Sequence, residues 1–442
     1  MRPVLMLFVG TRGVVIADTV RPLTAVADVV VATSQDILDQ RSDALDSSVP
    51  AVDTVIAPTR ADLLAHAGKY AAGNRVDGAL SFSDDLVELT AIFAAEHGLP
   101  GQPPHTIGNF RDKSTQRAAL AAAGLPTPVN FEITSPAQAA QALAAVPTPA
   151  ILKPTRGSGG QLAFAVNEPA QLAGLLDEAF AAAPTIGQAV ESDTAFIFEG
   201  LIVGSRWHDL DGVAPYVSVE SVAVGGRYTH LAVTDRFPIA PPVLETGMLF
   251  PSTLRPEQQR TITEATTAAL RALAFEHGVA HTELMLTAGG PVVIEVNARA
   301  GGALPYLFTM ASDTDLVALA GRVALGEPPA TLPAFRGHAV FVAPQHPVGV
   351  EVTAVHGLDE VRTQPGVHVV IPLALAGTRT DSFQHTMIAV VLGTADTPRA
   401  AVSLYRQVMD TVRGEYASAE LPDHYRRTPG LKPGFKPGLR PD

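Results

Sequence analysis

The 442-residue sequence contains no cysteine. That excludes disulfides, thiolate zinc sites, iron–sulfur clusters and cysteine nucleophiles together. Positive charge is also scarce: 31 basic residues face 44 acidic ones, for a formal net charge of −13. Such a balance argues against a general nucleic-acid surface and leaves room only for a local basic cleft. Lysine is scarcer still, with five residues (Lys69, Lys113, Lys153, Lys432, Lys436) beside 26 arginines. No apolar run approaches the roughly 20 residues that span a bilayer. The run Val4–Val9 is too short for a secretory leader and reads as a buried first strand. These absences predict a soluble, cytoplasmic protein with neither nucleic-acid nor membrane partners. What is present in quantity is apolar: a hydrophobic fraction of 47% can fill the cores of several domains.

The first hundred residues alternate short β-rich runs (Val4–Val9, Asp28–Ala32, Thr54–Ala57, Gly78–Phe82) with helical stretches near Ala61–Ala72 and Leu86–His97. This alternation predicts a doubly wound α/β unit with a parallel sheet. The turn Gly10-Thr11-Arg12-Gly13 lacks the spacing of a dinucleotide-binding loop and reads as a strand-to-helix connection. Beyond it, Asp112 caps a helix through Ala123, and a strand at Ala150–Lys153 precedes the loop 154–160 and a strand at Leu162–Val166. A helix follows at Pro169–Ala182, then strands at Ala195–Val203 and Val217–Thr234, and a helix at Pro256–His277. Residues 336–416 read as mostly β, ending in a helix. The predicted division is 1–107 (N-terminal α/β), 108–192 (with the Gly-rich loop), 193–335 (with a carboxylate hairpin), 336–429 (β-rich) and a flexible tail, 430–442, that repeats Lys-Pro-Gly.

The segment from His281 to Asn297 carries the most chemistry. With Gly289 and Gly290 as the turn, Glu283 falls opposite Glu295 and His281 opposite Asn297, all on one face. The neighbours Leu284, Leu286, Val292, Ile294 and Val296 assign the other face to the core. Opposed carboxylates repel, so a positive group is expected between them. Two carboxylates and an amide oxygen form a hard donor set suited to Mg²⁺. Arg299 follows two residues later, able to grip a phosphate or carboxylate bidentately, and the Gly301 and Gly302 amides can approach an anion closely. Lys113 stands in the first turn of its helix, against the positive end of the dipole, and so calls for a nearby anion. Lys153 ends an apolar strand and leads into Gly157-Ser158-Gly159-Gly160, a strand-to-strand loop that is no P-loop but could fold over phosphates.

Taken in order, Lys113, Lys153, the Gly-rich loop, Phe196-Ile-Phe198-Glu199 and Glu283…Glu295-Val-Asn297 resemble the ATP-grasp superfamily over nearly the whole chain. The run Ile294–Gly302 is most similar to that of the L-amino-acid ligases, the group containing the bacilysin dipeptide synthetase. The resemblance implies an ATP-grasp fold, mixed α/β and α+β, with a doubly wound N-terminal domain and a β-rich C-terminal one. It implies ATP bound through Lys113, Lys153, Gly157, Ser158, Gly159, Gly160, Phe198, Glu199, Arg299, Gly301 and Gly302. Two Mg²⁺ ions, replaceable by Mn²⁺, would sit on Glu283, Glu295 and Asn297. Lys153, Arg299, Glu220 and His281 would be the catalytic groups, the last two orienting an amine. The implied reaction joins amino acids, or an amino acid and a related amine, through an acyl phosphate; short peptides are further substrates, and a homodimer is compatible with the family. Purine-biosynthetic or biotin-carboxylase-like relatives, which phosphorylate formate or bicarbonate, and a non-catalytic ATP-binding protein are the alternatives. Two departures stand out: Tyr216 occupies the place where a ribose-binding acid is expected, and the small Ala303 after the double glycine implies a roomy pocket.

Overall fold

The computed structural model describes residues 1–41, 43, 49–50, 52–157, 159–185, 195–240, 243–347, 350–379 and 386–417; Ser158 and the predicted tail lie outside them. The N-terminal sheet is parallel, with strands β1 (Val4–Phe8), β2 (Asp28–Ser34), β3 (Asp53–Ala57) and β4 (Gly78–Ser81) in the order β3-β2-β1-β4. The strand β1 is buried on both faces, which is why its sequence is an unbroken apolar run. Strand order reverses between β1 and β4, and the loops leaving their carboxyl ends form a crevice of the kind that accepts ligands in open α/β sheets.

A second sheet is antiparallel: β5 (Asn130–Ile133), β6 (Ala150–Pro154), β7 (Phe164–Val166) and β8 (Phe196–Gly200) in the order β5-β8-β6-β7. Its Leu152, Phe164, Phe196 and Phe198 pack under the helices Ala139–Ala145 and Leu172–Ala182. The expected helix from Pro169 starts three residues later, after a 3-10 turn.

The largest sheet holds eight strands, all paired antiparallel. They are β9 (Tyr216–Val224), β10 (Arg227–Arg236), β11 (Gly247–Phe250), β12 (Gly278–Thr287), β13 (Gly290–Asn297), β14 (His338–Val342), β16 (Val367–Pro372) and β17 (Ala389–Ala395). Their order is β13-β12-β9-β10-β11-β14-β17-β16. The run expected as one β stretch from Val217 folds back at Gly225 and Gly226, both with φ in the left-handed region that glycine adopts without strain. The helix Pro256–Ala272 covers one face around Leu270, Phe275, Leu284 and Val296. After the helix Pro398–Thr411 the chain does not stop helical: β18 (Arg413–Tyr416) pairs with β15 (Val352–His356) in a separate two-stranded sheet. Among the described residues no helix is long and apolar enough to cross a membrane.

Candidate active site

A cavity of about 1520 Å³ lies between the three sheets, and the face of β9, β12 and β13 forms part of its wall. Register fixes what that face displays. His281 pairs with Asn297 on one side and Glu220 on the other, Glu283 with Glu295 and Ser218, and Met285 with Tyr216. The expected opposition of Glu283 and Glu295 is therefore present, although a simple hairpin does not produce it. The turn itself pairs Thr287 with Gly290, and a one-residue bulge after Glu283 shifts the register back. Ile294 is the extra residue. It leaves the core face expected for it and joins the cavity wall, while Val293 takes the core position. Val292, likewise expected in the core, sits opposite Met285 on the cavity side of the register.

The positive groups demanded by the two carboxylates come from the protein. Lys113 Nζ lies 3.0 Å from Glu295 Oε1 and donates to the Gly157 carbonyl at 3.0 Å, tying the first glycine of the loop to the hairpin. This carboxylate is the anion that the helix-start position of Lys113 required. Glu283 faces Arg236, 3.4 Å away, and His281, 3.2 Å away. Burial alone would raise its pKa, but the His281 hydrogen bond and the Arg236 charge hold it at about 2. His281 is pushed up to about 9: burial opposes its charge, and Glu220 and Glu283 outweigh burial. As an imidazolium it donates from Nδ1 to Glu220 and from Nε2 to Glu283, so both ring protons are committed. Glu220 is fully buried behind His281 and also accepts from the Gly301 amide at 3.2 Å. Its expected role in orienting an amine is thereby corrected to one exerted through His281, because no face of Glu220 is open to a substrate.

On the opposite wall, Glu199 accepts from Lys153 at 2.6 Å and from Arg117 Nε at 2.8 Å and Nη2 at 3.2 Å. Arg117 also donates to the Ile294 carbonyl at 2.6 Å, bracing the bulge. The cluster holds two cations and one carboxylate in a buried setting. That imbalance explains why Glu199 is held at about 2, against a burial effect that would raise it, while burial keeps Lys153 below its ordinary value. Phe198 does not belong with the binding groups: strand alternation turns its ring to the opposite face from Glu199, fully into the core of the second sheet. Gly157, Gly159, Gly160, Gly301 and Gly302 line the cavity. Arg299 reaches across to the N-terminal sheet, its Nη2 2.5 Å from Asp84 Oδ2, in the loop after β4.

Glu283, Glu295 and Asn297 line one stretch of this wall, and as hard oxygen donors they fit Mg²⁺. Two carboxylates and one amide are not a closed protein cage, and no cluster of three or more histidines and acids with metal-binding geometry occurs among the described residues. This open set suits an ion that completes its shell with water and phosphate oxygens.

Comparison with known proteins bears on the fold. Residues 146–305 match the family described as "ATP-grasp domain". The chain carries an ATP-grasp domain. Alanine–anticapsin ligase of Bacillus subtilis is 30% identical over 213 residues, which are 47% of this chain and 45% of that protein. Human carnosine synthase 1 is 30% identical over 290 residues, 62% of this chain and 34% of that protein. The chain thus spans about half or less of the length of such curated relatives. The structure of an L-amino acid ligase from Bacillus licheniformis superposes with a TM-score of 0.76 at 21% identity, covering 95% of this chain and all of that one. The architecture described above is the ATP-grasp fold.

Two charged residues of this site, Arg117 and Asp84, carry no role in the sequence reading. Arg117 follows Lys113 by four positions, and the buried face of its helix is Lys113, Gln116, Arg117 and Leu120. A helix face that buries two cations was the available signal. Arg236, which the resemblance puts in a segment bordering the amino-acid pocket, ends strand β10 and is completely buried between Glu245, Glu283 and His281. Asp84 had no signal, since its partner Arg299 lies 215 positions away.

Proposed function

We propose that this chain is an ATP-dependent carboxylate–amine ligase that forms an amide bond, with amino acids as the substrate class. The observation that carries the reading is the convergence, in one cavity, of a carboxylate–amide donor set, a Lys153–Glu199–Arg117 cluster and an arginine, Arg299, held by Asp84. A volume of about 1520 Å³ exceeds the roughly 300–1,000 Å³ of a single-ligand pocket. It has room for a nucleotide and two further reactants. The apolar side chains of Ile151, Leu201, Met285 and Ile294 line the same cavity as Lys153 and Glu199 and would suit an adenine ring.

In the proposed reaction a carboxylate oxygen of the donor attacks the γ-phosphorus of ATP, and the bond to the β-phosphate oxygen breaks with its electron pair left on ADP. The amine nitrogen of the second substrate then attacks the acyl carbon. The carbon–oxygen bond to phosphate breaks, inorganic phosphate leaves, and the amine sheds its protons to water or the leaving phosphate. Lys113 and Lys153 would neutralise the phosphates, and Glu283, Glu295 and Asn297 would hold Mg²⁺, which when bound supplies further charge neutralisation at the transferring group. Arg299 and the Gly301 and Gly302 amides would grip the transferred phosphoryl or the donor carboxylate. Glu245, ion-paired to Arg236 at the cavity wall, offers an acceptor for a donor ammonium group. Such a reaction draws on cytoplasmic ATP.

The test is incubation with ATP, Mg²⁺ and amino-acid mixtures, read by phosphate release and by mass spectrometry. Products one water lighter than a pair of reactants are expected, with one ADP per bond. Phosphate release that requires bicarbonate or formate, or tight ATP binding without turnover on any carboxylate, would overturn the reading.

A further inference from the structure

The loop Gly10–Gly13, which follows β1, opens into the same cavity but has no part in the chemistry above. Its backbone is fixed from below. The Gly10 amide donates to Ser83 Oγ at 3.2 Å, and the amide and hydroxyl of Thr11 both donate to Asp85 Oδ2 at 3.2 Å. The Ser83 hydroxyl donates to the Arg12 carbonyl. Gly13 has φ +124°, and a Cβ there would meet the Phe82 carbonyl at 2.7 Å, so the turn requires glycine. This scaffold lies at the switch point of the parallel sheet, where β1 and β4 part.

Arg12 extends from it along the cavity wall. Its Nη1 comes within 3.8 Å of where a Cβ on Gly159 would stand, so the guanidinium spans from the N-terminal sheet to the Gly-rich loop. The other cations of the wall have protein partners: Lys153 has Glu199, Arg236 has Glu245 and Glu283, Arg299 has Asp84, and Arg156 has Asp112. Arg21 and Arg111 are engaged as well. Among the described residues no side chain hydrogen-bonds or ion-pairs with the Arg12 guanidinium. The nearest acids are already taken, Asp84 by Arg299 and Asp85 by Thr11. Burial pulls the Arg12 pKa below its ordinary value despite the Asp85 and Asp84 charges.

Building on the ligase reading, we infer that Arg12 holds the carboxylate of the amine substrate, so that the acceptor is an α-amino acid or another amine carrying a free carboxylate. Of the cations proposed for the nucleotide phosphates, Lys153 lies on β6 and Lys113 starts the helix Lys113–Ala122 against Glu295 of β13, whereas Arg12 sits on the N-terminal crevice across Asp84 from Arg299. An amine approaching an acyl phosphate at Arg299 enters from that crevice, with its own carboxylate trailing toward Arg12. A planar guanidinium takes a carboxylate bidentately, and a substrate that brings the missing anion completes the charge balance of this wall.

The experiment separates acyl-phosphate formation from acceptor use. Hydroxylamine, a small acceptor without a carboxylate, traps the acyl phosphate as a hydroxamate; the amino-acid pair identified by mass spectrometry gives the peptide. Arg12→Met is expected to lower the ratio of peptide to hydroxamate by at least about tenfold, the loss of a charge-assisted bidentate contact, and Arg12→Lys is expected to recover part of it. The unaltered enzyme should prefer the free acceptor amino acid to its primary amide by a similar factor, a measurement that does not depend on any variant folding. The inference is overturned if the peptide-to-hydroxamate ratio stays within twofold, if both products fall together, or if the amide serves as well as the acid. No hydroxamate and no ADP from the unaltered enzyme would instead overturn the ligase reading itself.

Discussion

Replacing Glu199 by glutamine isolates the buried cluster on the wall opposite the hairpin. The side chain keeps its size, so the change is one of charge: Lys153 and Arg117 are left as neighbouring buried cations with no carboxylate between them. Glu199 lies at about 2 against an ordinary 4.5. At 1.36 kcal/mol per decade the difference amounts to about 3 kcal/mol of folding stability. Only 5% of the side chain is exposed, so solvent screening removes little of it. Loss of one partner from a buried ion pair costs about 3–5 kcal/mol in general, which agrees. Because the folded-state value is depressed, the contribution is fully present above pH 4.5 and is lost as the pH falls through about 2. The gap between the native chain and Glu199→Gln should therefore shrink from about 3 kcal/mol near pH 7 to about 1 kcal/mol at pH 3. Urea unfolding of both proteins across that range, without nucleotide, measures it. A gap under 1 kcal/mol at pH 7, or one that does not change on acidification, would refute the reasoning.

Lys153→Arg and Lys113→Arg should each lower kcat/KM for ATP by about 10²-fold or more, because a planar fork cannot occupy the place of a compact ammonium 2.6 Å from Glu199 or 3.0 Å from Glu295; steady-state kinetics with folding checked by circular dichroism decide it. Glu295→Gln and Glu283→Gln should raise the Mg²⁺ concentration for half-maximal ATP turnover at least about tenfold, since each removes an anionic donor, and an unchanged Mg²⁺ titration would exclude the donor set. His281, held at about 9, contributes stability that is complete below pH 6.5 and disappears as the pH rises through about 9. NMR titration of the ring, assigned against His281→Gln, should show that midpoint, and one near 6.5 would contradict the imidazolium assignment. Ala303→Trp should exclude bulky donors while sparing small ones in the mass-spectrometric assay, because position 303 lines the cavity beside Gly302; equal losses for all donors would show that the position does not set size.

Parts of the site were legible because local rules govern them. A period of two and a double glycine placed the two carboxylates on facing strands, with the bulge making up the one-residue difference in the turn, and Asp112 placed Lys113 at a helix start. The bulge was hidden, because the apolar run Val292-Val293-Ile294 has no alternation to reveal which residue is extra. Phe198 was misplaced by counting it with its neighbour, although adjacent strand residues point to opposite faces. The partner of Arg299 comes from another sheet, 215 positions away, and that pairing depends on how the sheets pack. The Gly10–Gly13 turn lacks a dinucleotide spacing, and its position at a switch point, visible only in three dimensions, gives its arginine a cavity to face.

The scarcity of lysine takes on meaning within this geometry. Lys69 is exposed on the helix Leu63–Gly73, and Lys432 and Lys436 lie outside the described residues. Lys113 and Lys153 each rest on a carboxylate that the proposed chemistry needs elsewhere or leaves behind: Glu295 is a metal ligand in the proposal, and Glu199 balances the cluster. For Glu295 to coordinate Mg²⁺ its pairing with Lys113 must loosen, and a phosphate oxygen is the anion that would receive the freed ammonium. Metal and nucleotide binding are then coupled through a single exchange of partners, because either ligand alone would leave one charge of the Lys113–Glu295 pair uncompensated in a buried setting. A net charge of −13 does not oppose this, since a polyanion would meet a wall whose cations are already in place and whose acids are each balanced by one of them.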